Sequence, residues 1–190
     1  MKRVLSIFLC LLLAISLATP VLAAGASMSL SSSAGTLHRG DSFTITVKLN
    51  NSQAIGRGGI VLKYDKNVFE ITGGSCNVSG ATLAEVSASR NGGVFALEEN
   101  RVVSGTIFTI KMKVKSNAPF GNYTISGSAS MEISCSVSGT NVTVACSHSY
   151  GGFTSVNATS HKHQCSICGH EESLNHTWDG TRNSMGAVFM

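Results

Sequence analysis

The chain has 190 residues, of which 43% are hydrophobic and 13% charged, and it carries a formal charge of +4. Two of the 14 basic residues, Lys2 and Arg3, belong to an N-terminal leader, so the remainder is near +2. No basic patch is interleaved with aromatic residues, which argues against nucleic-acid binding. The sequence has no nucleophile elbow, no phosphate-cradling glycine loop and no His-Glu-x-x-His, and so offers no enzyme motif.

Residues 1–24 read as a secretory signal peptide: basic Lys2 and Arg3, an apolar run from Val4 to Leu17, and a small-residue exit at Ala23-Ala24. The apolar run falls short of the ~20 residues that cross a bilayer. Cys10 lies inside it and is followed by Leu11, which disfavours lipoprotein processing. The mature chain is therefore expected to be secreted, extracellular or at the cell surface, with no membrane span.

Beyond the leader the dominant period is two. Met28-Ser-Leu30 predicts a short strand and residues 35–40 a turn. Phe43, Ile45, Val47 and Leu49 alternate with Ser42, Thr44, Thr46 and Lys48, as in a strand with one buried face. A glycine-rich entry at 56–59 leads to Ile60–Tyr64, whose apolar density predicts a central position or burial on both faces. Val68, Phe69 and Ile71 follow a turn. Residues 81–89 are read as a strand, with a helical turn at Leu83–Val86 as the alternative. Asn91-Gly92-Gly93 is a hairpin signal into Val94–Leu97, and Glu98–Arg101 reads as a polar loop.

The clearest alternation comes next. Phe108, Ile110, Met112 and Val114 share one face; Thr109, Lys111, Lys113 and Lys115 share the other. Pro119 and Gly121 break the pattern, Tyr123 and Ile125 resume it, and two last strands run over 125–133 and 142–145. Eight or nine strands with frequent turns predict an all-β, antiparallel β-sandwich. Glu98 and Glu99 are adjacent, and on an extended chain they point to opposite faces, so they make a poor acid/base pair. Asp41 and Asp65 sit in turns as backbone caps.

After Cys146 the composition changes. His148, His161, His163, His170, His176 and the single tryptophan fall within 146–180, where aliphatic residues are few. A segment this poor in apolar residues cannot stabilise itself by a core and needs a metal or a disulfide. The Cys165-x-x-Cys168-Gly169 knuckle has zinc-ligand spacing. Its two partners are expected to be one of Cys146 or His148, and one of His161, His163 or His176. The alternative is a Cys165–Cys168 or Cys146–Cys165 disulfide with surface histidines. If zinc takes Cys146, Cys165 and Cys168, then Cys76 and Cys135 are left as a pair; Cys135–Cys146 is the competing bridge. The sequence is not Cys-x-x-Cys-His, so covalent haem is disfavoured. Residues 147–180 form a small appended unit, and 181–190 a tail unlike anything before it.

Three segments carry a family resemblance. They are Leu37-His-Arg-Gly-Asp-Ser-Phe-Thr-Ile-Thr-Val47, Gly59-Ile-Val-Leu-Lys-Tyr-Asp-Lys-Asn-Val-Phe-Glu-Ile71, and the run from Lys113-Val-Lys through Ala118-Pro119 to Tyr123-Thr-Ile125. In this order they resemble the cohesin modules of cellulosome scaffoldins, over roughly 27–146. The resemblance implies a jelly-roll sandwich over 25–146 and a non-catalytic module. Its expected ligand is a dockerin-type protein or a polysaccharide, in an extracellular glycan-degrading assembly. It also implies a contact face on the strands at 56–64 and 93–97, with Arg57, Gly59, Phe95 and Leu97 as contact residues. Cohesins that bind dockerins tend to offer Asn and Asp where Arg57 and Gly59 stand, and Arg57 implies a more acidic protein partner or an acidic glycan. The alternative is a structural or adhesive envelope protein in which the sandwich is a spacer. The Cys/His segment resembles small zinc-ribbon-like units appended to exported proteins.

Overall fold

Phe108, Ile110, Met112 and Val114 are all fully buried, while Lys111 and Lys113 between them are exposed. That strand lies at the heart of the molecule. The computed structural model describes residues 25–157 and 159–175. The leader, His176, Trp178 and the tail at 181–190 lie outside the described residues.

The strands in chain order are β1 (Ala26–Ser32), β2 (Thr36–Leu37), β3 (Ser42–Asn50), β4 (Ala54–Lys63), β5 (Phe69–Cys76), β6 (Ala81–Ser87) and β7 (Gly92–Val102). They continue with β8 (Gly105–Val114), β9 (Gly121–Met131), β10 (Cys135–Ser138), β11 (Thr140–Val144), β12 (Thr154–Asn157), β13 (Ser160–Gln164) and β14 (Glu171–Asn175). One sheet runs β10-β1-β3-β8-β5 and a second β2-β11-β9-β4-β7-β6; β12-β13-β14 form a small third sheet. The first two close on a shared core as a sandwich. Pairing is antiparallel except at two edge contacts, β1 with β10 and β2 with β11, which are parallel.

The inward rows of both sheets make the core. Phe43 and Tyr123 meet the Phe69 ring edge-on at 5.6 Å each, and Phe95 lies 6.1 Å from Phe108. Ile107 and Phe108 are consecutive yet both buried. A register shift makes this possible, because Val47 pairs Phe108 and Lys48 pairs Thr106, leaving Ile107 as the extra residue of a bulge.

Three expectations change in detail. Glu98–Arg101 is not a loop but the outer part of β7, set off by a bulge: Arg57 pairs Ala96, yet Ile55 pairs Arg101. The 35–40 turn contains the two-residue β2. Strand β4 is central, between β7 and β9, but it is not buried on both faces, since Val61 is 45% exposed. The free thiols Cys76 and Cys135 sit on β5 and β10, opposite edges of one sheet. Four strand spacings of ~4.8 Å separate those edges, far beyond disulfide reach. That pairing is excluded by the strand order.

Candidate functional site

Among the described residues, two places are candidates for chemistry beyond folding: the outer face of the six-stranded sheet and the Cys/His cluster. On the sheet, register decides which residues face outward. Gly58 pairs Phe95 and Gly59 pairs Val94, and residues directly opposite share a face. Phe95 therefore turns inward with Gly58 and is 1% exposed; a Cβ on Gly58 would meet the Phe95 ring at 2.8 Å. Leu97, half-buried, packs against the same core. Neither side chain lies on the outer face with Arg57 and Gly59.

The residues that do share that face follow from the pairing. Glu85, Val94, Gly59 and Ser130 form one row, and Ser87, Gly92, Val61 and Ser128 form the next. Leu83, 46% exposed, stands beside Ala96 and Arg57 in a third. The centre is thus made of small, uncharged residues, glycine, valine and serine. Charge stands at its margins: Arg57 Nε lies 3.1 Å from Glu132 Oε1, and Arg90 Nε lies 2.7 Å from Glu85 Oε2. The second Glu132 oxygen accepts the Gly56 N–H at 2.9 Å. Val61 and Leu83 are absent from the sequence-level site. Val61 was within reach, since 57, 59 and 61 share parity; Leu83 was not, because its neighbours are set by pairing.

The Cys/His cluster is built from two segments. Cys146 and His148 follow β11, and Cys165 and Cys168 occupy the turn between β13 and β14. One ligand atom from each of the four lies within 4.8 Å of every other. Cys146 Sγ is 3.7 Å from Cys165 Sγ, and Cys168 Sγ is 3.3 Å from His148 Nδ1. A tetrahedral zinc with the usual bond lengths has S···S edges of about 3.8 Å and S···N edges of about 3.6 Å. The donor set fits such an ion. Gly169, at φ +75°, turns the chain behind the knuckle and donates its N–H to Cys165 O at 2.9 Å.

The N–H groups of Ser149 and Ile167 each donate to Cys165 Sγ at 3.4 Å. Burial opposes ionisation of Cys165, but hydrogen bonds from His148 and from the amides of Ile167, Cys168 and Ser149 outweigh it and bring the thiol down to about 5. Burial, then the neighbouring Cys168 and Cys165, push Cys146 up to about 12. A cation entering the cluster displaces the protons of its thiol ligands.

Among the described residues, the knuckle is brought together with both Cys146 and His148, where one of the two was expected, and with neither His161 nor His163; His176 lies outside the described residues. His161 and His163 are engaged in a ladder of rings. Tyr150 stacks on His163 at 4.1 Å and on His148 at 5.4 Å, while Phe153 stacks on His163 at 4.7 Å and meets His161 edge-on at 4.3 Å. His163 Nε2 also reaches Glu172 Oε2 at 3.1 Å. Tyr150, which the sequence reading passed over, stands between His163 and the cluster.

The family model for the cohesin domain matches residues 27–147. The chain belongs to the cohesin family. The third ScaB cohesin of R. flavefaciens, solved in complex with a group 1 dockerin, is 17% identical with a TM-score of 0.51, covering 67% of this chain and 99% of that one. The cohesin module of a family 33 glycoside hydrolase from Clostridium perfringens is 8% identical with a TM-score of 0.52, covering 63% and 96%. At such identities the likeness is one of fold. A comparison with curated proteins finds no match. A cohesin domain is a binding module without catalytic machinery, so this cohesin is not an enzyme. Its Cys/His unit begins where the match ends. No helix among the described residues is long and apolar enough to cross a membrane.

Proposed function

We propose that this cohesin is exported and takes a dockerin-type protein module on the outer face of strands β9, β4, β7 and β6, as part of an extracellular polysaccharide-degrading assembly. The observation that carries this reading is the face itself. Its middle is made of Gly59, Gly92, Val61, Val94, Ser128 and Ser130, so a partner's backbone can approach closely, and its margins carry Arg57–Glu132 and Glu85–Arg90. No aromatic side chain stands in these three rows as a platform for a sugar ring, which favours a protein partner over a polysaccharide. The ion we propose for the Cys/His cluster is zinc in a structural role, since three thiolates and an imidazole form a closed four-ligand set.

Calorimetric titration against a panel of dockerin modules tests the face. Val61→Glu places a charge at the uncharged centre and should weaken binding by about 2 kcal/mol or more, with little change in melting temperature because the side chain is solvated in the free protein. Unchanged affinity of Val61→Glu for a dockerin that the native chain binds would place the contact elsewhere.

Arg57→Ala is a milder change. The side chain is 76% exposed and its pair with Glu132 is solvent-screened, so the loss of stability should stay under about 1 kcal/mol. Affinity for an acidic partner should fall and its salt dependence should flatten. A drop in melting temperature larger than that of a core truncation would refute the placement.

A further inference from the structure

We propose that Cys146, His148, Cys165 and Cys168 hold one tetrahedral zinc ion that is the joint between the sandwich and the appended sheet. The inference rests on the zinc reading and adds what the ion does. Its first ligand belongs to the sandwich. Thr143 N–H donates to Gly35 O at 2.8 Å and Ala145 N–H to Leu37 O at 2.7 Å, so the backbone is still tied to the β2 edge one residue before Cys146. The opposite two ligands belong to the appended unit, in the turn that links β13 to β14.

Apart from the stacking of Tyr150 on His163 and of His148 against His170, little else can set how the two parts sit. Strands β12 and β14 are exposed along their whole length. Beyond Val144, Cys165 is the only buried residue among those described, and the sandwich core contains no residue of the appended sheet. The backbone contacts at the junction lie at the ligand turn or directly beside it, where Gly151 N–H donates to Gln164 O at 3.2 Å. Tyr150 bridges Cys165, Ser166 N–H donates to Ser149 O at 3.0 Å, and Ser149 N–H reaches Cys165 Sγ at 3.4 Å. A unit without a core takes its order from the ion it binds, and an ion with ligands on both sides of a junction fixes the junction as well. The amides of Ser149 and Ile167 on Cys165 Sγ are the outer-shell donors that hold a thiolate ligand in place.

The test uses the full chain purified without added metal. Elemental analysis should give one zinc per chain. Cobalt substituted for it should show sulfur-to-cobalt charge transfer and the d–d spectrum of a tetrahedral site. Backbone 15N relaxation should show residues 160–175 tumbling with the sandwich. Cys146→Ser should lower zinc affinity at least about tenfold and release residues 160–175 to tumble independently, whereas His161→Ala should leave the stoichiometry and cobalt spectrum unchanged. Native protein free of zinc overturns both the zinc reading and the joint. Zinc held by native protein whose appended sheet tumbles independently, or held by Cys146→Ser with native affinity, leaves the zinc reading standing and overturns the joint.

Discussion

Replacing Cys165 by serine should abolish the ordered structure of residues 146–175 while leaving the sandwich melting almost unchanged. Cys165 is 1% exposed, accepts two backbone N–H groups and lies 3.7 Å from Cys146 Sγ, so it is the centre of the cluster. A hydroxyl at that position is a hard, protonated donor in a site built for a soft thiolate. Structural zinc in small coreless units contributes on the order of 10 kcal/mol of folding free energy, and little of that survives the loss of a central thiolate. Hydrogen exchange read by mass spectrometry should show β13 and β14 exchanging at once in Cys165→Ser and, equally, in native protein treated with a chelator. The melting transition of the sandwich should stay in place, because its core holds no residue of the appended sheet. Retained protection of β13 and β14 after chelation would remove the metal from the account.

Phe108→Ala should be the most damaging truncation of the sandwich. The ring is fully buried on β8, in the interior of its sheet, and touches Phe95 of the facing sheet across the core. A Cβ on Gly93 would lie 2.8 Å from it, which shows how closely the facing strand approaches. Deleting such a ring leaves a cavity that two sheets cannot close together, at a cost of about 3–5 kcal/mol, or about 10–20 °C in Tm for a domain of this size. Lys111→Ala, three residues on but on the solvent face, should stay within about 0.5 kcal/mol. Thermal and urea unfolding of both variants decides it: comparable losses from the two would mean that the strand does not alternate between core and water as described.

How far the sequence alone reaches is visible in this strand and its partner. Phe43, Ile45, Val47 and Leu49, like Phe108 to Val114, turn inward as their period-two pattern predicts. Side-chain direction along a strand is a local property: successive residues alternate whatever the strand pairs with. The sandwich class followed from that alternation and from the turn residues between strands; the cohesin resemblance rested on three segments in order. The Cys-x-x-Cys-Gly knuckle was equally local, since its spacing and the turn at Gly169 involve one short piece of chain.

Whatever depended on pairing between distant segments was decided only by the tertiary structure. Phe95 and Leu97 looked like partners of Arg57 and Gly59, but the register of β4 on β7 sets Phe95 opposite Gly58 and sends it into the core. A shift of one residue would have reversed this, and the bulge of β4 on β7 between Ile55 and Arg57 interrupts the simple parity of the two strands. Which residues gather around the knuckle is a question of the same kind. Any of several histidines had acceptable spacing, yet Tyr150 and Phe153 fill the face of β13 with stacked rings, and the end of β11 brings Cys146 and His148 together against the knuckle. Strand order likewise put Cys76 and Cys135 on opposite edges of a sheet. Local chemistry determined which residues face a core and which could bind a metal. Long-range register determined which of them meet, because the free energy of pairing two strands is shared by the whole sheet and is written in no one segment.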